Sequence, residues 1–213
     1  MTPELVIFDC DGVLVETESV TDQVLSAYFT AHGAPITPAK VHALFAGGTM
    51  EGAGEAAIKL GATLPPNWLN DIYAAMFAKL GEGVMVFPGL IDLLDTLDAQ
   101  GIPVAVASNG PMAKMKVSLS PSGLWDRLQG RIYSRENYAP KPAPDMLLAA
   151  CAANNVSPAN AVMIDDTPVG TAAADAAGMR AIGFAAASNA ELLGATGHPV
   201  AHTMAQVQKL LGL

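Results

Sequence analysis

The sequence predicts an α/β fold, a doubly wound parallel-sheet (Rossmann-like) core interrupted by an inserted α-helical cap domain. Three observations predict it. A short apolar run, Leu5–Phe8, closes on Asp9-Cys10-Asp11-Gly12, the pattern of a strand buried on both faces that ends in a turn. From Leu90 onward, segments with helical spacing alternate with further short apolar runs at 103–107, 131–133, 161–164 and 180–184, which is the β-then-α repeat of a parallel sheet. Between these parts, residues 16–86 show helical periodicity and no strand alternation. The core domain is therefore expected at 1–15 and 87–213, and the cap at 16–86.

The elements follow in order. Val20, Val24, Leu25, Tyr28 and Phe29 fall at helical spacing within 16–31, and Gly33 stops that helix. Thr37 and Pro38 supply an N-cap and a first-turn proline for the next helix, which runs to about Phe45. Gly47-Gly48-Thr49 reads as a turn, and 51–60 and 67–80 as two more helices. After Phe87-Pro88-Gly89 comes a helix over 90–100, then a strand over 103–107 that leads into Ser108-Asn109-Gly110-Pro111. Pro111 suits the first position of a helix reaching Leu119. Lys141-Pro142-Ala143-Pro144 is expected to be extended, because each proline disfavours helix in the residue before it. A helix over 145–154 follows, and then a strand ending on Asp165-Asp166. Thr167 caps and Pro168 opens the next helix, Gly178 ends it, and a strand and a C-terminal helix complete the chain.

Bulk properties narrow the function. The 213 residues are 51% apolar and 15% charged, which is ordinary for a globular chain, and the formal net charge is −9. That charge argues against nucleic acid and anionic membranes as partners, and it requires a local cationic site for any anionic substrate. Cys10 and Cys151 make no disulfide framework, and Asp9 and Asp11 interrupt the N-terminal apolar run. A reducing, cytoplasmic setting is therefore expected. No apolar run approaches membrane-spanning length. Oligomeric state is not encoded in any recognisable pattern.

Chemistry-bearing residues follow the buried strands. Asp9 and Asp11, spaced i and i+2 on extended chain, point the same way, and Gly12 lets the chain turn beside them. Ser108 and Asn109 follow a second strand, Asp165 and Asp166 a third, and Lys141 lies beyond a fourth. In a parallel sheet these carboxyl ends share one edge. Clustered carboxylates need a cation or a proton between them, and oxygen-only ligands suit Mg²⁺. The ammonium, the hydroxyl and the amides at the helix start near Pro111 suit an anion. Cation, tetrahedral anion and a spare carboxylate together equip a site for phosphoryl transfer. Taken singly, each residue has a plainer explanation: Asp or Ser after a strand often caps a helix, and a lone lysine is usually solvated. Cys10 should face the opposite side as a small core residue. His32, His42, His198 and His202 have no ligand spacing and read as non-catalytic.

Asp9-Cys10-Asp11-Gly12-Val13, Ser108-Asn109-Gly110, Lys141-Pro142 and Asp165-Asp166-Thr167 resemble, in order and spacing, the four motifs of the haloacid dehalogenase (HAD) superfamily. The helical block after the first motif matches as well. Within the superfamily the chain looks most like the sugar-phosphate phosphatases and the β-phosphoglucomutases. The resemblance implies Asp9 as the nucleophile of an aspartyl-phosphate intermediate and Asp11 as acid and then base. It implies Mg²⁺ held by Asp9, the Asp11 carbonyl and Asp166, with Asp165 acting directly or through water. Ser108 and Lys141, with the amides of Asn109 and Gly110, would bind the phosphoryl group. A cap of this kind is expected to hinge near 13–16 and 86–89.

Within such a family the acid at position 11 disfavours dehalogenase and phosphonatase chemistry, because leaving-group protonation needs it. The expected activity is Mg²⁺-dependent hydrolysis of a small phosphate monoester of a sugar, sugar acid or polyol. The alternative is a β-phosphoglucomutase-like phosphomutase. A mutase needs cap cations for a second phosphate, and 16–86 holds Lys40, Lys59 and Lys79 but no arginine. A phosphorelay receiver is disfavoured, since its acid pair precedes its lysine. A catalytically dead regulator is disfavoured too, since no expected residue is missing.

Overall fold

The computed structural model describes residues 2–45, 50–186 and 190–213; the turn predicted at Gly47-Gly48-Thr49 lies outside them. The strands are β1 (Leu5–Phe8), β2 (Val15–Glu16), β3 (Met85–Val86), β4 (Val104–Ser108), β5 (Ile132–Ser134), β6 (Ala161–Asp165), β7 (Arg180–Phe184) and β8 (Val200–Ala201). Six of them form one sheet in the order β5-β4-β1-β6-β7-β8, with every pairing parallel. The chain starts at a central strand, builds outward through β4 and β5, then crosses to β6 on the other side. Strand order reverses between β1 and β6, the switch point at which open α/β sheets bind ligands beyond the strands' carboxyl ends.

The helices are α1 (Glu18–Ala31), α2 (Pro38–Phe45), α3 (Met50–Lys59), α4 (Trp68–Gly81), α5 (Leu90–Ala99), α6 (Met112–Leu119), α7 (Leu124–Leu128), α8 (Asp145–Ala153), α9 (Pro168–Ala177), α10 (Ala190–Gly194) and α11 (Met204–Leu211). The chain divides into two compact units, Met1–Val15 with Met85–Leu213, and Glu16–Val84. In the first, β1, β4 and β6 are buried along their whole lengths. One face of the sheet packs Leu5, Ile7, Ala105, Ala107 and Met163 against Met146, Leu147 and Ala150 of α8 and Ala173 and Ala174 of α9. Burial of both sheet faces explains why these strands read as continuous apolar runs. The helical unit has its own core, in which Leu25 and Phe29 of α1 meet Val41 of α2, Ala53 and Ala57 of α3, and Ile72 of α4. No helix among the described residues is long and apolar enough to cross a membrane.

Three local expectations are corrected. The helical stretch is preceded by the two-residue strand β2, so α1 begins at Glu18 rather than residue 16. Pro111 is extended (φ −70°, ψ 150°) and stands at the N-cap of α6, one position before the helix. The segment from Lys141 to Pro144 is a turn: the Lys141–Pro142 peptide is cis and the Ala143 amide donates to the Pro140 carbonyl at 3.0 Å. No element is expected from the sequence between Gly123 and Gly130, where α7 is too short to carry a readable period.

Candidate active site

Two central strands deliver the acids. Asp9 is the first residue past β1, Asp165 the last of β6, and the register pairs Phe8 with Ile164, so the two lie side by side across the switch point. One carboxylate oxygen each from Asp9, Asp165 and Asp166 lies within 4.8 Å of the others. Asp9 and Asp165 are buried and Asp166 is half-buried. Past Asp9 the chain closes a tight loop: the Leu14 and Val15 amides both donate to the Cys10 carbonyl, and the Gly12 amide donates to Val15. Gly12 has φ +79°, and a Cβ there would stand 2.2 Å from Asp166 Oδ2. Backbone conformation and space both require glycine at that position.

Lys141 is the cation of the cluster. Its Nζ lies 2.6 Å from Asp165 Oδ2 and 3.0 Å from Asp9 Oδ1, and the residue is 5% exposed. Burial works against its charge, but the Asp165 and Asp9 carboxylates outweigh burial and hold the ammonium above its ordinary value. Burial pushes the Asp9 carboxyl up to about 7; Asp165 and Asp11 add to the rise, while Lys141 and the Cys10 amide oppose it. One ammonium thus does not balance the acids around Asp9. A hard divalent cation on Asp9 and Asp166 fits this donor set, which is all oxygen, anionic and close-spaced. Asp165 is otherwise engaged: Oδ2 faces Lys141, and Oδ1 accepts from the Thr167 amide (2.9 Å) and hydroxyl (2.6 Å). The Thr167 hydroxyl also accepts from the Gly170 amide at 3.1 Å, so one side chain both caps α9 and holds Asp165.

β4 delivers Ser108 and Asn109. The Asn109 side chain spans the backbone of Lys141, with Nδ2 donating to the Lys141 carbonyl (3.0 Å) and Oδ1 accepting from the Lys141 amide (2.8 Å). The phosphate-binding role expected of Asn109 rests on its backbone amide, while its side chain holds the Lys141 turn. Asn109→Ala is expected to cost about 1–3 kcal/mol, from two lost partly buried hydrogen bonds. Urea unfolding checks this, and an unchanged midpoint would show that the Lys141 turn holds without the clamp.

Ser108 is buried, and its Oγ accepts from the Gly110 amide at 3.0 Å. At the start of α6, expected to contribute to anion binding, the Met112 amide donates to Glu136 Oε2 at 3.0 Å. Ser134 steadies this loop by donating to the Gly110 carbonyl (2.8 Å) and accepting from the Glu136 amide (3.2 Å).

Sequence reasoning missed Lys114, in the first turn of α6, whose Nζ lies 2.8 Å from Asp11 Oδ2. A cation in a first helical turn opposes the helix dipole, and that anomaly was the available signal. Cys10 is fully buried, and burial holds its thiol well above the ordinary value. The histidines make contacts elsewhere: His42 with Asp22, His198 with Asp175, and His32 and His202 with backbone carbonyls.

Residues 3–178 match the family model described as haloacid dehalogenase-like hydrolase. The chain belongs to that family and is a hydrolase of the α/β type that the family's structures share. It is 29% identical to 6-phosphogluconate phosphatase of Escherichia coli, over 86% of this chain and 83% of that one. It is 27% identical to validoxylamine A 7'-phosphate phosphatase of Streptomyces hygroscopicus subsp. limoneus, over 89% of each. A HAD family hydrolase of Deinococcus radiodurans, solved with bound phosphate and sodium, superposes with a TM-score of 0.87 at 26% identity, covering 99% of this chain and 96% of that one.

Proposed function

We propose that the protein is a Mg²⁺-dependent phosphatase that hydrolyses a small phosphate monoester through an aspartyl-phosphate, with a sugar, sugar-acid or polyol phosphate as substrate. The observation that carries this reading is Lys141, buried between Asp9 and Asp165 beside Asp166, which joins an anion-binding cation to a cation-binding acid cluster. Phosphatase relatives and a phosphate-bound structural neighbour support it.

In this reading Asp9 attacks phosphorus as the ester P–O bond breaks, and Asp11 gives its proton to the departing alkoxide. Asp11 then takes a proton from water as the water oxygen attacks the phosphoryl group. Inorganic phosphate leaves and the Asp9 carboxylate is regenerated. Lys141 and the Ser108 hydroxyl bind the phosphoryl oxygens. Asp165, through its bond to Lys141, aligns that ammonium, and Asn109 fixes its backbone. Mg²⁺, when bound by Asp9, Asp166 and the Asp11 carbonyl, supplies charge neutralisation at the phosphoryl group.

The test is inorganic phosphate release from a panel of sugar, sugar-acid and polyol monophosphates, with Mg²⁺ and with EDTA, following glucose 1-phosphate in parallel for isomerisation. Metal-dependent release establishes the phosphatase, whereas isomer formation without release moves the chain to the mutases. Binding of the metal has its own readout. Saturating Mg²⁺ at about 100 times its Kd is expected to stabilise the protein by roughly 2.7 kcal/mol relative to EDTA, a shift in melting temperature that Asp166→Asn should largely remove. An undiminished shift in that variant would place the cation elsewhere.

A further inference from the structure

We propose that Lys114 is the positioning residue for Asp11, holding its carboxylate so that the acid–base step meets the leaving-group oxygen; this rests on the phosphatase reading above. Lys114 Nζ and Asp11 Oδ2 are 2.8 Å apart, and both side chains are mostly buried, 18% and 25% exposed. Asp11 stands on the loop that follows β1. α6 reaches it from outside that loop with a first turn fixed by the bond from the Met112 amide to Glu136 and by the bond from the Lys114 amide to the Pro111 carbonyl.

Lys114 is not placed as a solvated lysine would be. It sits where the helix dipole disfavours a cation, and holding a long side chain in one geometry costs rotamer entropy. Its stem passes beside Gly110. The point where a Cβ on Gly110 would stand is 3.3 Å from Ser108 Oγ, 3.6 Å from Asp11 Oδ2 and 4.0 Å from Lys114 Cδ. Lys114 thus reaches Asp11 from the side of the candidate phosphoryl-binding hydroxyl. As a mostly buried ion pair its net contribution to stability is small, because the cost of desolvating both charges offsets their attraction. Its weight lies in geometry, since displacing a reacting group by about 1 Å costs on the order of a hundredfold in rate.

The experiment compares kcat/KM for two ester types in wild type, Lys114→Met and Lys114→Arg, at saturating Mg²⁺. One is the alkyl monoester that the wild type hydrolyses best, whose leaving oxygen needs a proton. The other is p-nitrophenyl phosphate, whose leaving group departs without one. Lys114→Met should lower kcat/KM for the alkyl ester by about a hundredfold and for the aryl ester by less than about fivefold. Lys114→Arg, which keeps a cation near Asp11, should recover part of the alkyl activity. The inhibition constant of inorganic phosphate should stay within about twofold in both variants, as it reports anion binding rather than leaving-group protonation. Equal losses on both esters overturn the proposal, as does a weakening of phosphate inhibition large enough to account for the loss. Should Lys114→Met not fold, Lys114→Arg decides alone: a selective loss on the alkyl ester supports it, and an equal loss on both esters or no loss on either overturns it. Absence of metal-dependent phosphate release from every ester by the wild type would instead remove the phosphatase reading itself.

Discussion

Replacing Asp9 by Asn is expected to abolish phosphate release while leaving the protein folded. Loss of a covalent nucleophile costs at least about a thousandfold in rate, because an amide cannot form the acyl phosphate. The fold should tolerate the change for reasons visible at the site. Asp9 Oδ1 accepts from the Cys10 amide at 2.7 Å and faces Lys141, and the oxygen of an Asn can keep both contacts. Lys141 retains Asp165 at 2.6 Å, so its charge is not left without a partner, which is the situation in which breaking a buried pair costs about 3–5 kcal/mol. The removed charge was itself unfavourable: burial raises the Asp9 carboxyl to about 7 despite Lys141. Without metal, stability should therefore stay within about 1 kcal/mol of wild type or rise, as often happens when a buried ion gives way to a neutral isostere. Phosphate release and urea unfolding in EDTA measure the two halves. Turnover of more than a few per cent, with the protein free of wild-type contamination, would assign the nucleophile to another group.

What could be read from the chain follows from how each signal is written. β1 was legible because a buried parallel strand is a continuous apolar run, and its acids sit at its end by sequence alone. The α9 start was legible because Thr167 and Pro168 are adjacent, and the structure shows Thr167 accepting from the Gly170 amide. β2, β3 and α7 were not legible, since two or five residues carry no period. Side-chain partnerships across the fold were the least legible. Lys114 meets Asp11 across 103 positions and Asn109 meets Lys141 across 32; the cation in the first turn of α6 marks Lys114 as unusual, but nothing local names the partner of either residue. The turn at Lys141 escaped as well: the rule for residues before proline treats one residue at a time, whereas the turn is closed by the bond from the Ala143 amide to the Pro140 carbonyl.

Gly170→Ala is expected to be among the most damaging single-methyl additions to the core, although alanine is the better helix former. Gly170 lies in the first turn of α9, where a Cβ would stand 1.8 Å from both Cγ and Oδ2 of Asp165. Asp165 has nowhere to go: it is fully buried, with one oxygen on Lys141 and the other on Thr167. Helix propensity favours alanine by about 1 kcal/mol. Against that stand about 1–3 kcal/mol for overpacking and up to about 3–5 kcal/mol if Asp165 is driven off Lys141. The net expectation is a loss of roughly 3 kcal/mol, which in a chain of this size lowers the melting temperature by on the order of 10 °C. Turnover should fall at least about a hundredfold as well, because Lys141 loses the group that aims it. Gly194→Ala is the control. It ends α10 with no atom within 4 Å of the added methyl, and its stability should stay within about 0.5 kcal/mol of wild type. If Gly170→Ala melted and turned over like that control, α9 would have room to retreat from Asp165. The tight approach of helix to carboxylate would then not be what holds Lys141 in place.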